Sequence, residues 1–332
     1  MPIEYKSFDP TAAAQKASRL LELHHASQPL VLINAWDAAS AAMVEHCGLP
    51  AVATSSAALA NALGFADGQY LPWEQMLETV ARICRAVKAP VTADIESGFA
   101  SDVTALETSI TQIIRTGAVG VNLEDVMSAN PAHQIAGRQN DDHKNADLKN
   151  AGPVRHGSPL FPLPEQIARI QAARRAGEAQ GIHLVINART DAYWQAGVEP
   201  AETMRNTLER GKAYLQAGAD CIFVPGLRNP DHIKTVIDHL SSDYVRPADS
   251  RNNDPRNVHG AAPVNILAGP GVPSIPELAK LGVKRVSYGS GPHRAAMGLL
   301  RRMADEARTS GTYQALTEGA VPYEEMNGLM GK

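Results

Sequence analysis

Residues 91–99 read Val-Thr-Ala-Asp94-Ile-Glu96-Ser-Gly-Phe, a short apolar β-type run that ends in two carboxylates before a Ser-Gly turn. Alternation along a strand places positions 94 and 96 on one face at its C-terminal end. Two like charges this close stay ionised together only if a cation or a proton relieves them. The pair therefore reads as a hard-cation site for Mg2+, with Mn2+ as the second choice. The competing reading is a strand end dissolving into a solvated turn, where acids are common. Two more acids favour the metal: Glu124 closes another apolar run, and Asp67 follows Leu63-Gly64-Phe65-Ala66. Mg2+ keeps several waters and takes one or two direct protein oxygens. Asp94 is therefore expected as the direct ligand, with Asp67, Glu96 and Glu124 holding metal-bound water.

Arg189 is the strand-end cation among these acids. Its planar fork suits a substrate carboxylate or a developing enolate oxygen; the alternative is a structural ion pair with Glu124 or Asp191. Ser55, Ser56 and Ala57 make a small-residue turn into a helix, where backbone N–H groups can receive an anion. Gly269-Pro-Gly271 and Gly289-Ser-Gly291 follow two later strands, either as phosphate-holding turns or simply as tight ones. His133, His143 and His156 fall in a long polar stretch and His293 opens a helix. Such residues are usually just polar, although a histidine on a lid can donate a proton.

Positioning these groups takes a scaffold, and its rhythm is visible. Eight short, mostly β-branched runs occur at 30–35, 51–56, 91–96, 119–126, 184–190, 221–226, 264–268 and 285–289. Helix-like stretches such as 73–87, 103–116, 164–180, 201–217 and 230–240 separate nearly all of them. This pattern fits an α/β chain folded as a single (β/α)8 TIM barrel, with an open doubly wound sheet as the alternative. In a closed barrel the strand C-termini converge, bringing together Thr54 to Ser56, Asp94, Glu96, Glu124, Asp125, Arg189, Asp191 and Asn265. Residues 1–29 form a leading segment whose helix covers 11–26. The barrel occupies 30–309, with a lid-like insertion at 127–163 and a second insertion at 241–262, and 310–332 form an apolar tail expected to pack against a neighbour.

Composition narrows the classes further. The chain has 332 residues, 44% hydrophobic and 20% charged, so it can bury a large core. A net charge of -4 with 5% aromatics offers neither a basic footprint nor a stacking platform, which argues against nucleic acid. The start Met-Pro-Ile-Glu-Tyr-Lys lacks an apolar h-region and no run of about 18 apolar residues follows, so no export signal or membrane span is expected and the cytoplasm is the default. Cys47, Cys84 and Cys221 are far apart and read as buried small hydrophobes in a reducing compartment.

Taken together, the motifs resemble the isocitrate lyase and phosphoenolpyruvate mutase superfamily. Asn34-Ala-Trp36-Asp37, Thr54-Ser-Ser-Ala-Ala with Leu63-Gly-Phe-Ala-Asp67, Ala93-Asp94-Ile-Glu96-Ser-Gly-Phe99, Val121-Asn-Leu-Glu124-Asp125, Asn187-Ala-Arg189-Thr-Asp191 and Phe223-Val-Pro-Gly226 occur in order across 30–302. The resemblance implies a Mg2+-dependent barrel, commonly a homotetramer with its last helix exchanged between subunits, acting on small oxo acids through a pyruvate-type enolate. By the same carry-over, Ser55 and neighbouring amides hold the substrate carboxylate, Asp94 holds the metal, Asp67, Glu96 and Glu124 hold its waters, and Arg189 faces the enolate. The expected catalytic set is Arg189, Glu124 and Ser55; Ser56, Ala57, Trp36, Asp67 and Asn265 complete the substrate contacts.

Departures from the pattern bear on the subfamily. Isocitrate and methylisocitrate lyases carry a Lys-Lys-Cys-Gly-His loop where 127–163 here has no cysteine. The mutase carries Lys-Thr-Asn-Ser there and a histidine at the end of strand six; this chain has Met127-Ser-Ala-Asn130-Pro-Ala-His133 and Pro225. Glu96 stands where many members have Asp. The reading that results is a Mg2+-dependent carbon–carbon lyase for an oxaloacetate-like or substituted-malate-like acid, acting through a pyruvate-type enolate. A C–P bond enzyme (phosphonopyruvate hydrolase or mutase) and a non-catalytic oxo-acid-binding barrel are the alternatives.

Overall fold

The computed structural model describes residues 8–128, 159–195, 197–242, 244 and 260–330. Helix α1 (Pro10–His24) starts where Asp9 accepts hydrogen bonds from the amides of Thr11 and Ala12, with proline at the first helical position. Nine strands follow where eight runs were expected, because the first run breaks at Ile33 into β1 (Leu30–Leu32) and β2 (Asn34–Ala35). The others are β3 (Val52–Thr54), β4 (Val91–Asp94), β5 (Gly120–Glu124), β6 (Val185–Arg189), β7 (Cys221–Phe223), β8 (Val264–Leu267) and β9 (Arg285–Ser287). All pairings are parallel, in the order β1-β9-β8-β7-β6-β5-β4-β3-β2. Because β1 runs on into β2, this order is a nearly closed cylinder. The break falls where the chain changes neighbour, from β9 to β3, and this closure excludes the open doubly wound sheet.

Asn34 fastens the seam. Its Nδ2 donates to Thr54 O at 2.6 Å, while its Oδ1 accepts from the amides of Tyr288 and Gly289 at 2.8 and 2.9 Å. One side chain thus ties β3 to the turn after β9.

The cylinder is clad by α2 (Ala38–His46), α3 (Ser56–Ala62), α4 (Trp73–Ala86), α5 (Val103–Arg115), α6 (Leu163–Ala179), α7 (Pro200–Gln216), α8 (Pro230–Ser241) and α9 (Ile275–Leu281). Apolar positions recurring every three or four residues, such as Leu106, Ile110, Ile113 and Ile114 of α5, are fully buried against the sheet. Helix α10 (Gly291–Thr309) differs, with His293 as its one buried residue. After α11 (Gln314–Thr317), α12 (Tyr323–Met330) folds back onto α2 of its own chain, burying Leu329 and pairing Glu325 with His46 at 3.6 Å.

The stems of the first insertion are fastened together. Val126 bridges Leu160, Met127 N donates to Pro159 O at 3.0 Å and Phe161 N donates to Asp125 O at 2.8 Å. The span 129–158, with His133, His143 and His156, lies outside the described residues, as does most of the second insertion. The three cysteines are free, but Cys47 is exposed, contrary to the buried reading, because it caps the C-terminus of α2 beyond that helix's last inward turn. No described helix is long and apolar enough to cross a membrane.

Candidate active site

Asp94 ends β4, and its carboxylate is drawn to the start of α3. Ser55 caps that helix, its Oγ accepting from Ala58 N at 3.4 Å, and Ser56 presents both its amide (2.9 Å) and its hydroxyl (2.7 Å) to Asp94 Oδ2. The small-residue turn was expected to seat a substrate anion. Its Ser56 amide instead holds the protein's own carboxylate, and Asp94 Oδ1 accepts none of these bonds. Thr54 Oγ1 accepts from Asp94 N at 2.9 Å and fixes the backbone below.

Strand alternation does not carry from Asp94 to Glu96. The strand stops at Asp94, and Glu96 takes a left-handed conformation with φ 53°. Gly98 (φ 93°) and Phe99 (φ 52°) continue the tight turn; a Cβ on Gly98 would stand 2.3 Å from Leu106 Cδ1. Left-handed conformations at two non-glycine residues cost on the order of 1–3 kcal/mol each and recur at functional sites. Glu96 is 1% exposed and its Oε1 accepts from Gln69 N at 3.1 Å.

Arg189, at the end of β6, is held on two sides. Its Nε and Nη2 donate to Asp191 at 2.5 and 2.8 Å in a bidentate pair, and its Nη1 lies 2.8 Å from Glu124 Oε2. The alternative of a structural pair with Glu124 or Asp191 is thus realised with both. The guanidinium also lies over the Trp194 ring at 5.1 Å, and Trp194 reaches its place because Gly226 has no Cβ, which would stand 2.7 Å from the indole Nε1. Asp125, next to Glu124, is wholly buried and accepts from Tyr214 Oη at 2.7 Å, Arg210 Nη1 at 3.2 Å and Asp191 N at 3.0 Å. Desolvation pushes its carboxyl above the usual range despite Arg210.

These strand ends surround a cavity of about 350 Å³. Of the expected residues, Ser55, Ser56, Ala57, Asp67, Asp94 and Arg189 line it. Glu96 and Glu124 sit behind the wall, at 1% and 2% exposure. Trp36 does not line it either and packs edge-on against His293, ring centroids 5.3 Å apart. Asn265 is buried in the barrel interior, donating to Ser287 Oγ at 3.1 Å. Among the described residues no group of three or more His, Cys, Asp or Glu side chains is gathered closely enough to cage an ion.

Asn34, Asn122, Trp194, Arg228 and Arg294 line the cavity without having been singled out as site residues. Asn122 carries a legible geometry. Its side-chain oxygen accepts from Arg285 Nη2 at 2.9 Å and from Asn187 Nδ2 at 2.8 Å. Arginine only donates, so that oxygen is Oδ1 and the amide's two N–H donors face the other way. Arg285 is fully buried, its pKa drawn down to about 10 by desolvation, and its Nη1 meets His24 Nε2 at 3.2 Å. The sequence signal for this layer was an asparagine inside each of three of the apolar runs, Asn122, Asn187 and Asn265.

Comparison with known proteins agrees with this architecture. An uncharacterised protein of Mycobacterium tuberculosis is 28% identical over 93% of this chain and 95% of its own length. The 2,3-dimethylmalate lyase of Eubacterium barkeri is 24% identical over 95% and 94%. A Burkholderia cenocepacia J2315 structure provisionally described as a lyase/mutase superposes with a TM-score of 0.75 at 30% identity, covering 96% of each chain. Residues 20–308 match the family described as phosphoenolpyruvate phosphomutase, and the chain belongs to that family, within the isocitrate lyase and phosphoenolpyruvate mutase superfamily of lyases and mutases.

Proposed function

We propose that the chain is a Mg2+-dependent carbon–carbon lyase of the cytoplasm that cleaves an oxaloacetate-like or substituted-malate-like acid through a pyruvate-type enolate. The observation that carries this reading is the strand-end cavity with Asp94 on one wall and Arg189 on another. The donor set fits a hard cation. Ser56 occupies one oxygen of Asp94 and leaves Oδ1 for an ion, while Asp67 lies at the same cavity. A site with one or two direct oxygens needs no cage of acids. Glu96 and Glu124, behind the wall, act through water or through the residues they brace. The cation, when bound, supplies positive charge where the oxo acid develops its enolate.

The chain's own residues do the rest. Arg189, pre-aimed by Asp191 and Glu124, offers its guanidinium to the oxygen that gains charge. Asn122 presents amide donors whose direction Arg285 and Asn187 enforce. Ser55 and Ala57 shape the wall beside Asp94. The lyase named among the relatives supports a branched dicarboxylic acid as the type of substrate.

The test is a panel of 2-oxo and 2-hydroxy di- and tricarboxylic acids assayed with Mg2+ and with chelator, pyruvate release being read by lactate dehydrogenase and phosphonopyruvate turnover by phosphorus NMR. Chelator-sensitive C–C cleavage supports the reading. Chelator-insensitive turnover, exclusive C–P cleavage, or Mg2+-dependent oxalate binding without turnover of any acid rejects it.

We also propose a homo-oligomer. Helix α10 exposes Met297 (46%) and Leu300 (56%) on an amphipathic helix with one buried residue, a face that a second copy would cover. Light scattering should report a dimer or tetramer that Leu300→Asp shifts toward monomer; a monomeric native protein would refute it.

A further inference from the structure

Three guanidinium groups line the cavity, and they are not equivalent. Arg189 is engaged by Asp191 and Glu124. Arg228, after β7, and Arg294, in the first turn of α10, are both exposed, and neither forms a side-chain ion pair or hydrogen bond among the described residues. The Arg228 stem runs over the Gly269-Pro270-Gly271 turn, where a Cβ on Gly271 would lie 3.9 Å from Arg228 Cδ.

Strand order sets where these charges stand. The acids lie beyond β3 (Asp67) and at the end of β4 (Asp94), whereas the two arginines follow β7 and β9. In a nearly closed cylinder of this order β7 lies across from β3, so Arg228 follows the strand opposite the one that leads to Asp67, while Arg294 follows β9, two places from β7 on the same rim. Two arginines at one cavity, neither paired with a carboxylate among the described residues, favour the entry of an anionic group. Arginine's fork suits a planar or tetrahedral oxyanion with two or three acceptors.

We propose that Arg228 and Arg294 form the seat for the second acid group of the substrate, the group distal to the 2-oxo or 2-hydroxy acid end that approaches Asp94. This rests on the function proposed above, whose substrates are already diacids, and adds the two residues that read the distal carboxylate or phosphonate. Both arginines are specificity-determining residues, distinct from the group that faces the reacting atoms.

Calorimetric titration of the full chain in Mg2+ tests this with pyruvate, 3,3-difluorooxaloacetate and phosphonopyruvate. The wild type should bind the two diacids at least 10-fold more tightly than pyruvate. Arg228→Gln and Arg294→Gln should each remove about 5-fold of that preference, and the double variant nearly all of it, with pyruvate affinity unchanged within 2-fold. Arg228→Lys should keep part of the preference, which a merely steric role would not. The larger advantage, carboxylate or phosphonate, identifies the distal group. Since both side chains are exposed, the variants should melt as the wild type does. A preference that survives in the double variant, or a wild type that binds pyruvate and the diacids equally, overturns this proposal and leaves the enolate reading standing. A wild type that binds none of the three overturns both.

Discussion

Two buried carboxylates at opposite ends of the barrel have opposite environments. Asp220, just before β7 at the N-terminal end, is 1% exposed and has both oxygens occupied. Its Oδ1 meets His183 Nε2 at 2.6 Å, and its Oδ2 accepts from Arg174 Nη2 at 2.7 Å and Ile186 N at 2.8 Å. Burial opposes its charge, but Arg174, His183 and the amide outweigh it and hold the carboxyl below the usual range. Asp94, at the C-terminal end, lines the cavity and takes both Ser56 bonds on one oxygen, Oδ2. Satisfying every lone pair makes a brace. Leaving one without a protein donor beside a cavity suits the cation-binding role proposed for Asp94.

Four substitutions separate these roles. Asp94→Ala should lower turnover by roughly 10³-fold or more, about 4 kcal/mol of transition-state stabilisation, and abolish metal dependence with it. Its unfolding free energy should stay within about 1 kcal/mol of wild type; a steady-state assay with a parallel urea melt reads both. Asp220→Ala should do the reverse. Leaving Arg174 half-paired in its buried place should cost about 3 kcal/mol of stability in the same melt, with kcat/KM of the folded protein unaltered. A catalytic defect without a stability defect would refute the contrast.

Ser56→Ala removes one of the two hydrogen bonds on Asp94 Oδ2. Metal affinity should weaken about 10-fold, measured by Mg2+ titration, since partners behind a ligand typically tune affinity by 10–100-fold.

A fourth effect concerns the barrel interior. His24 is fully buried, its Nδ1 bonded to Leu20 O at 2.7 Å and its Nε2 facing Arg285, and desolvation followed by Arg285 lowers its pKa to about 3. The folded value lies below the unfolded one of about 6.5, so the unfolded chain takes the proton first. The contribution of neutral His24 is therefore complete above about pH 6.5. It falls as pH drops toward 3, by up to about 1.4 kcal/mol per pH unit. Urea melts at pH 7 and pH 5 should show the wild type losing more stability than His24→Gln; equal losses would refute the assignment.

Much of the architecture was legible because it rests on local pattern. Runs of β-branched residues spaced by amphipathic helices give away the βα repeat, and Asp9, Asp37 and Asp102 cap helices through backbone bonds a few residues away. The candidate site was legible in part. Ser55, Ser56, Ala57, Asp67, Asp94 and Arg189 do meet at one cavity, but Trp36 and Asn265 do not line it. Glu96 misled strand logic because β4 ends before it. Arg228 and Arg294 gave no local sign, since a charged residue in a loop usually faces water.

What the chain of residues determined by itself was the order of elements, the burial of their faces and the kinds of charge at the strand ends, all set by interactions within a few positions. What only the folded barrel decided was which charges meet. Asn34 reaches Tyr288, Asn122 reaches Arg285, and Arg228 and Asp67 line one cavity, because closing the cylinder joins segments distant in sequence. Whether a carboxylate is a brace or a ligand depends on which of its oxygens the surrounding structure satisfies, and that is a property of the closed barrel rather than of any stretch of sequence.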